Sequence, residues 1–421
     1  MTDRKSSLFI LLFALAHFVH HLLTAILIPL LPFIRDGFGL TYTQAGTIVS
    51  AFTLAYGFGQ LPAGWIADRV GPRYLLAAGI SGVAVTGAML GLSGSYGGMI
   101  ACLVLMGLLG GGYHPSASPL IAAAVPKENR GGAIGIHIVG GSLSHFIAPL
   151  AAVFLAGVLG WRGVYLSTSL PVFLFGLWLL LLMIRKDIRV RNTGAADSAG
   201  SADSTGSKEA SPGEPVSFSS DAGSHTHRPL TDVVLFLVMT ASVGSALGAS
   251  ISFVPLYLVD NIGLSQEAAG VVYSLYYLAG MGAAPLGGIL ADRLGPVRVF
   301  LFAVALAGPA LMVMGLFPNW GFMAFIMLAL GAIAFTRMTC SEIFFVTSVP
   351  EKNRSTVLGV YFFAGMEGNG IITPFLGAAI DAWGFSTTFL GTGAVLTTVL
   401  LVCAILFMIV RRKNGLPVRF A

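Results

Sequence analysis

Long apolar runs broken by short polar stretches fill almost the whole chain. Runs of about 20 residues, enough for a helix to cross a bilayer, lie near 8–34, 44–66, 74–93, 96–123, 131–157 and 163–184. After a polar gap they return near 231–259, 267–290, 297–316, 320–347, 355–380 and 386–410. Backbone groups in lipid must be satisfied within the chain, so each run predicts a helix. The pattern predicts an all-α polytopic membrane protein with twelve transmembrane helices, six in each half.

The halves repeat each other. Gly64-Trp65-Ile66-Ala67-Asp68-Arg69-Val70-Gly71-Pro72 returns 224 positions later as Gly288-Ile289-Leu290-Ala291-Asp292-Arg293-Leu294-Gly295-Pro296. Val125-Pro126-Lys127-Glu128-Asn129-Arg130 returns as Val349-Pro350-Glu351-Lys352-Asn353-Arg354 at the same offset. Gly39-Leu40 matches Gly263-Leu264, and Gly160 matches Gly384. A single gapless offset implies two copies of one unit, which in membrane proteins usually face each other across a central pathway. The longer motif joins the second and third spans of each half through a tight Gly-Pro turn. It sets Asp68 beside Arg69, and Asp292 beside Arg293, at the membrane edge. Arg130 and Arg354, in the matching loops after the fourth and tenth spans, are candidate partners for these carboxylates. These six residues are expected to form a gate; an ordinary topogenic turn is the alternative.

Composition supports the membrane assignment. The chain is 56% hydrophobic and 10% charged, against about 25% charged in soluble domains. Its 54 glycines are close to twice the usual share of about 7%, and small residues let helices approach closely in lipid. The net charge of +5 does not point to nucleic acid, because the basic residues sit at span ends. With the N-terminus inside, every Lys and Arg except Arg35, Arg162 and Arg337 is cytoplasmic, so both termini are expected there. Residues 185–229 are rich in Ser, Gly, Ala and Asp and are expected to form a disordered cytoplasmic linker. The expected organisation is a bundle over 1–184, that linker, a second bundle over 230–410 and a cytoplasmic tail over 411–421. His225 and His227 in the linker are a weak metal pair. Cys102, Cys340 and Cys403 read as small core residues. The first apolar run lacks a cleavage site and is expected to be the first span. Trp161, Trp320 and Trp383 at span ends suit interfacial anchoring.

Ionisable groups inside spans are costly and usually face a cavity or a partner. The first span holds His17, His20, His21 and Thr24, with His17, His21 and Thr24 on one helical face. The fourth holds His114, and the fifth His137 and His145. The tenth holds Arg337 and Glu342, and the eleventh Glu367 with Asn369 close by. Arg337, whose fork suits a carboxylate or phosphonate, is the candidate for anion recognition; an internal ion pair with Glu367 or Glu342 is the alternative. His17, His21, Tyr113, His114, Tyr273 and Tyr277 complete the candidate substrate site. Glu367 is the candidate proton carrier, with His17 and His21 as alternatives. Glu342, near the cytoplasmic end of its span, reads as a gating residue, partnered by Lys352 or Arg354. No carboxylate or Cys shares a span with His17, His20 and His21, so no metal set is expected, and no cofactor. The repeat sharpens the choice. Arg337 corresponds to Tyr113 and Glu367 to Leu143, so the halves differ at cavity positions.

The pattern Gly-x-x-x-Ala-Asp-Arg-x-Gly-Pro, the twelve spans and the long central linker resemble the major facilitator superfamily. The resemblance implies two six-helix bundles rocking about a central site lined by spans one, four, seven and ten. More narrowly, Ala16-His17-Phe18-Val19-His20-His21, the Gly-rich run from Gly107 to Tyr113-His114-Pro115, and Val139-Gly140-Gly141 with Ala148-Pro149 resemble the fosmidomycin-resistance branch. This chain carries His20 and His21 where that branch has Asn and Asp. It has no Arg within residues 102–106, where drug antiporters usually place one, and Ala148-Pro149 in place of their Gly-Pro.

The leading expectation is an inner-membrane secondary transporter that exports a small organic compound, anionic or drug-like, in exchange for protons. Its partners are that compound, protons and the lipid bilayer, and it is expected to be a monomer without nucleic acid. Proton-coupled uptake of an organic anion such as a carboxylate is the alternative. A receptor or scaffold that moves nothing is the alternative of another class. No Gly-x-x-x-x-Gly-Lys-Ser/Thr loop occurs, which disfavours ATP-driven pumping. No nucleophile-base-orienter set appears, so no enzyme is expected.

Overall fold

The computed structural model describes residues 4–125, 130–185, 230–348 and 351–413. Its helices are α1 (Arg4–Thr24), α2 (Leu31–Phe38), α3 (Tyr42–Val70), α4 (Pro72–Leu92), α5 (Tyr96–Gly110), α6 (Tyr113–Ala124) and α7 (Arg130–Arg185) in the first half. The second half contributes α8 (Leu230–Ser252), α9 (Val254–Asp260), α10 (Gln266–Leu294), α11 (Pro296–Leu316), α12 (Trp320–Ser348) and α13 (Glu351–Lys413). α7 bends at Gly160 and α13 at Gly384, so each carries two crossings. α1 with α2, α5 with α6, and α8 with α9 are single crossings interrupted by a turn. The result is twelve transmembrane helices in two pseudo-symmetric six-helix bundles.

Three of the expected unbroken spans are interrupted, each beside a proline. Pro29 and Pro32 lack the N–H that would continue α1 into α2. Pro255 does the same after α8, and Pro115 follows the turn at Gly111 and Gly112. The tenth crossing has Phe335 and Thr336 at the positions of Gly111 and Gly112, and α12 runs through unbroken.

Backbone geometry repeats with the sequence. Positive φ occurs at Gly39 and Gly263 (63° and 81°), Gly71 and Gly295 (102° and 88°), and Gly160 and Gly384 (66° and 77°). Each pair is separated by the sequence offset, and each sits where the chain turns between crossings. A side chain there would be strained, so these glycines set the turns of both copies.

Within lipid, helices pack through small residues and interhelical hydrogen bonds. α1 lies against Gly140 and Gly141 of α7, where any added side chain would meet Ala14 or His17. The same crossing is pinned twice. The His17 Nδ1–H donates to the His137 carbonyl (2.8 Å), and the His137 Nδ1–H donates to the Phe13 carbonyl (3.0 Å). Gly107 and Gly111 let the fourth crossing press onto Phe52, Tyr56 and Gln60 of α3. Trp161, expected at an interface, is instead buried and packs on Phe38 and Arg162. Trp320 and Trp383 are exposed.

The bundles touch along α3 with α13, α7 with α10, and α2 with α9. On the face opposite the chain ends, a polar network joins them. Arg35 forms an ion pair with Asp260, its Nη2–H donating at 2.7 Å, and a further bond joins its Nη1 to Asp260. The Tyr42 hydroxyl donates to Asp260 (2.8 Å), and Gln266 donates to Asp36 (2.8 Å). Tyr42 corresponds to Gln266 and Asp36 to Asp260 in the repeat, so the two contacts are symmetry mates. Asp381 caps the start of α3 from the other bundle, accepting from the Tyr42 and Thr43 N–H groups (2.9 and 2.8 Å) and the Thr43 hydroxyl (2.5 Å). An acceptor at a helix N-terminus is favourable on both hydrogen-bond and dipole grounds. The Arg35 guanidinium, which stays charged in proteins, donates to both Asp260 and Asp36. Replacing Asp260 with Asn is expected to weaken closure of this face. Losing a charged hydrogen bond costs about 1.5 kcal/mol or more, roughly tenfold in the closed-to-open ratio. A cysteine at Ala25, with the native cysteines replaced, should then react faster with an impermeant thiol reagent applied to this face.

Candidate functional site

A cavity of about 830 Å³ lies between the bundles. Its wall comes mainly from the first bundle (α1, α3, α6 and α7), closed by α10, α12 and α13 of the second. It extends from the histidines of α1 to Leu61 and Phe363, toward the face that carries the chain ends. Most of the lining is apolar, with polar groups gathered at one end.

That end is an array of imidazoles drawn from three helices. The rings of His17 and His137 stack at 4.2 Å, and His21 lies 4.7 Å from His145. His114 of α6 stands 5.2 Å from His17 and 5.4 Å from His21. Behind them His20 is fully buried, bonded to the Tyr56 hydroxyl at 3.0 Å and stacked on Tyr113 at 4.2 Å. Tyr113, a candidate substrate residue by sequence, is itself fully buried and backs the array without lining the cavity. His21 and Thr24, expected on one face, do meet there, Nδ1 to hydroxyl at 3.1 Å. The Tyr273 and Tyr277 hydroxyls bond to each other at 3.1 Å. Tyr277 stacks on His145 at 5.2 Å, carrying the array across to the second bundle.

Arg337 and Glu367 do not pair. Among the described residues, no ion pair within 4 Å joins Arg337 to Glu367 or Glu342. Arg337 donates from Nη1 to the Thr240 hydroxyl (2.7 Å) and carbonyl (3.0 Å) and also bonds to Tyr361, while its Nε has no partner among the described residues. Thr240 in turn bonds to Ser341 at 2.8 Å. Arg337 is therefore tied to α8 and outside the cavity wall. Glu342 is half-buried on α12 with no hydrogen bond or ion pair among the described residues.

Glu367 lies at the seam of the two bundles. It is 4% exposed, and neither carboxyl oxygen has a hydrogen-bond partner among the described residues. Its carboxyl rests on Gly57 of α3, in the space that a Cβ at Gly57 would occupy. Gly57 and its neighbours Tyr56 and Gln60 line the cavity. The same seam is lined by Gly46 against Thr373, Gly370 against Leu54, and Gly377 against Tyr42. Glycines from both helices thus make α3 and α13 a close-packed, separable contact.

The repeated motifs lie on the face of the chain ends. Asp68, Arg69, Asp292 and Arg293 are exposed there. Arg69 lies over the Trp65 ring at 3.5 Å. Neither Asp68 nor Asp292 has a hydrogen bond or ion pair among the described residues. The side chains of Arg130, Arg354 and Lys352, the linker with His225 and His227, and residues 414–421 lie outside the described residues.

Several residues escaped sequence reasoning. Asp36, Asp260 and Asp381 were overlooked, although Asp36 and Asp260 share the 224-residue offset. Gly57 gave no signal, because its partner is in the other half. Position in the fifth span gives His137 and His145 no evident role in the sequence.

Two pseudo-symmetric six-helix bundles with a cavity at their seam have the architecture of a membrane transporter. The Major Facilitator Superfamily model matches residues 13–257 and 234–420, and the chain belongs to that family. Its relatives include the multidrug resistance protein MdtG of Proteus mirabilis (strain HI4320), 24% identical over 398 residues, 92% of this chain and 93% of the relative. MdtG of Enterobacter lignolyticus (strain SCF1) is 26% identical, covering 88% and 85%. Among solved structures, a bacterial homologue of the human lysosomal transporter Spinster, inward-facing and occupied, superposes with a TM-score of 0.78 at 17% identity, covering 98% of each chain. A POT family transporter in complex with 5-aminolevulinic acid gives 0.74 at 14% identity, covering 94% of this chain and 95% of that one.

Proposed function

We propose that this transporter exports a small organic compound, anionic or drug-like, in exchange for protons. In this reading it is a monomer in the inner membrane, with both termini and the 185–229 linker cytoplasmic, bundles over 1–184 and 230–410, and a tail over 411–421. The basic residues gathered on the face of the chain ends support that orientation. The relatives named for multidrug resistance support export over uptake and a transporter over an enzyme or scaffold.

The observation that carries the proposal is Glu367 on Gly57. An ionised carboxylate buried without a partner costs several kcal/mol, so the carboxyl sits there in its neutral form. Parting α3 from α13 wets it and lets the proton leave. Proton occupancy is thereby tied to contact between the bundles, which alternating access must make and break. The cavity of about 830 Å³ suits a small organic ligand. His17, His21, His114 and Tyr277 offer it polar contacts in an otherwise apolar space. Arg337, whose Nε has no partner among the described residues, takes an anionic group when its contacts with Thr240 and Tyr361 yield. The network of Arg35, Asp260 and Asp381 is the periplasmic gate, and the motifs at Asp68 and Asp292, with Arg130, Arg354 and Glu342, form the cytoplasmic one.

A thermal-shift screen of phosphonates, carboxylates and cationic drugs supplies the test compounds. Acidifying the lumen of inverted vesicles should drive uptake of the hits; hits that bind but ignore the pH gradient would overturn the proposal. Arg337→Lys keeps the charge and loses the fork. It should weaken binding of anionic hits about tenfold and of neutral hits much less. Equal losses would leave Arg337 a structural tie to α8.

A further inference from the structure

The imidazole array contains a second kind of site. We propose that His17, His21 and His114 bind a first-row divalent transition-metal ion of the zinc class at the cavity wall. Their ligand nitrogens all lie within 4.8 Å of one another. A tetrahedral zinc site with Zn–N bonds of about 2.0 Å places its nitrogens about 3.3 Å apart, so a small inward movement of the three rings forms the coordination triangle. Spacing along the first span shows only two of the three ligands. The third ligand comes from α6, delivered beside α1 by the break at Gly111 and Gly112.

The tautomers suit metal binding. A carbonyl can only accept, so His17 carries its proton on Nδ1 toward the His137 carbonyl. In the neutral ring, Nε2 then holds the lone pair. This is the arrangement in which an outer carbonyl orients a ligating imidazole. His21 has its Nδ1 engaged with Thr24, which leaves Nε2 free. His114 has no hydrogen bond among the described residues to compete with a metal. All three rings line the cavity, so an ion can reach them and its fourth position stays open to water or an anionic donor. Three nitrogen ligands suit zinc, cobalt, nickel or copper; magnesium and calcium require oxygen ligands.

The test uses tag-free, full-length protein in detergent, with ZnCl2, CoCl2 and MgCl2 as probes. Zinc and cobalt are expected to bind in the micromolar range by calorimetry, cobalt with the intense visible bands of a low-coordinate nitrogen site, and magnesium not at all. His114→Gln and His21→Ala should each weaken binding about tenfold or more while the unliganded melting temperature stays near wild type. If one of them unfolds the protein, the other carries the comparison. Changing both His225 and His227 to Ala should leave binding intact. No zinc binding at millimolar concentration, binding untouched by both array variants, or binding lost with the linker pair would each overturn the proposal.

Discussion

Glu367→Gln is expected to abolish transport driven by a pH gradient while substrate binding remains measurable. Gln has the shape of the neutral acid and no proton to release. It can occupy the socket on Gly57 but cannot report whether the seam has opened. On the proposed coupling, the neutral carboxyl favours the seam-closed state in the wild type, so proton and substrate oppose each other and affinity should fall as pH falls. In the variant, affinity should be flat with pH and within about threefold, under about 1 kcal/mol, of the wild-type value on the acid side. Flux down a substrate gradient should persist. The measurement is binding and flux in proteoliposomes across pH. A variant whose affinity still tracks pH would place the coupling proton elsewhere, with His17 and His21 next in line.

Gly57→Leu should be nearly as damaging, through shape alone. Its first carbon falls where the Glu367 carboxyl now lies, and three more must fit a seam already packed by glycine against backbone at Gly46 and Gly377. Overpacking of this kind costs about 1–3 kcal/mol, all of it against the state in which α3 and α13 touch. Transport should fall at least tenfold, with Gly57→Ala in between. Phe58 and Phe363 face each other across the seam with ring centroids 6.0 Å apart. Cysteines at these two positions, with the native cysteines replaced, should crosslink readily in the parent and poorly alongside Gly57→Leu. Equal crosslinking and undiminished flux would show that the seam does not need to close.

Local signals were legible in the sequence, and contacts between the halves were not. Twelve crossings followed from apolar runs, because a backbone in lipid can satisfy itself only as a helix or closed barrel. The paired glycines from Gly39 to Gly384 marked both copies of the turns, since positive φ is a property of one residue and its neighbours. The helix breaks were also written locally, in Pro29, Pro32, Pro115 and Pro255. Arg337 and Glu367 look like partners because both are costly in lipid, but Arg337 donates from Nη1 to Thr240, 97 residues earlier. Glu367 lies against a glycine whose role depends wholly on its having no side chain. Asp36 and Asp260 were closer to hand. They obey the offset that revealed Asp68 and Asp292, and Asp260 takes part in the ion pair with Arg35 that joins the bundles.

The central claim, that proton occupancy of Glu367 is tied to the seam, is tested most directly by following protons. Proteoliposomes enclosing a pH dye, with no imposed gradient, are given a compound that the thermal-shift screen has shown to bind. Wild-type protein should move protons against the direction of the compound, and Glu367→Gln should move the compound with no proton signal. Equal proton movement in both proteins would contradict the account.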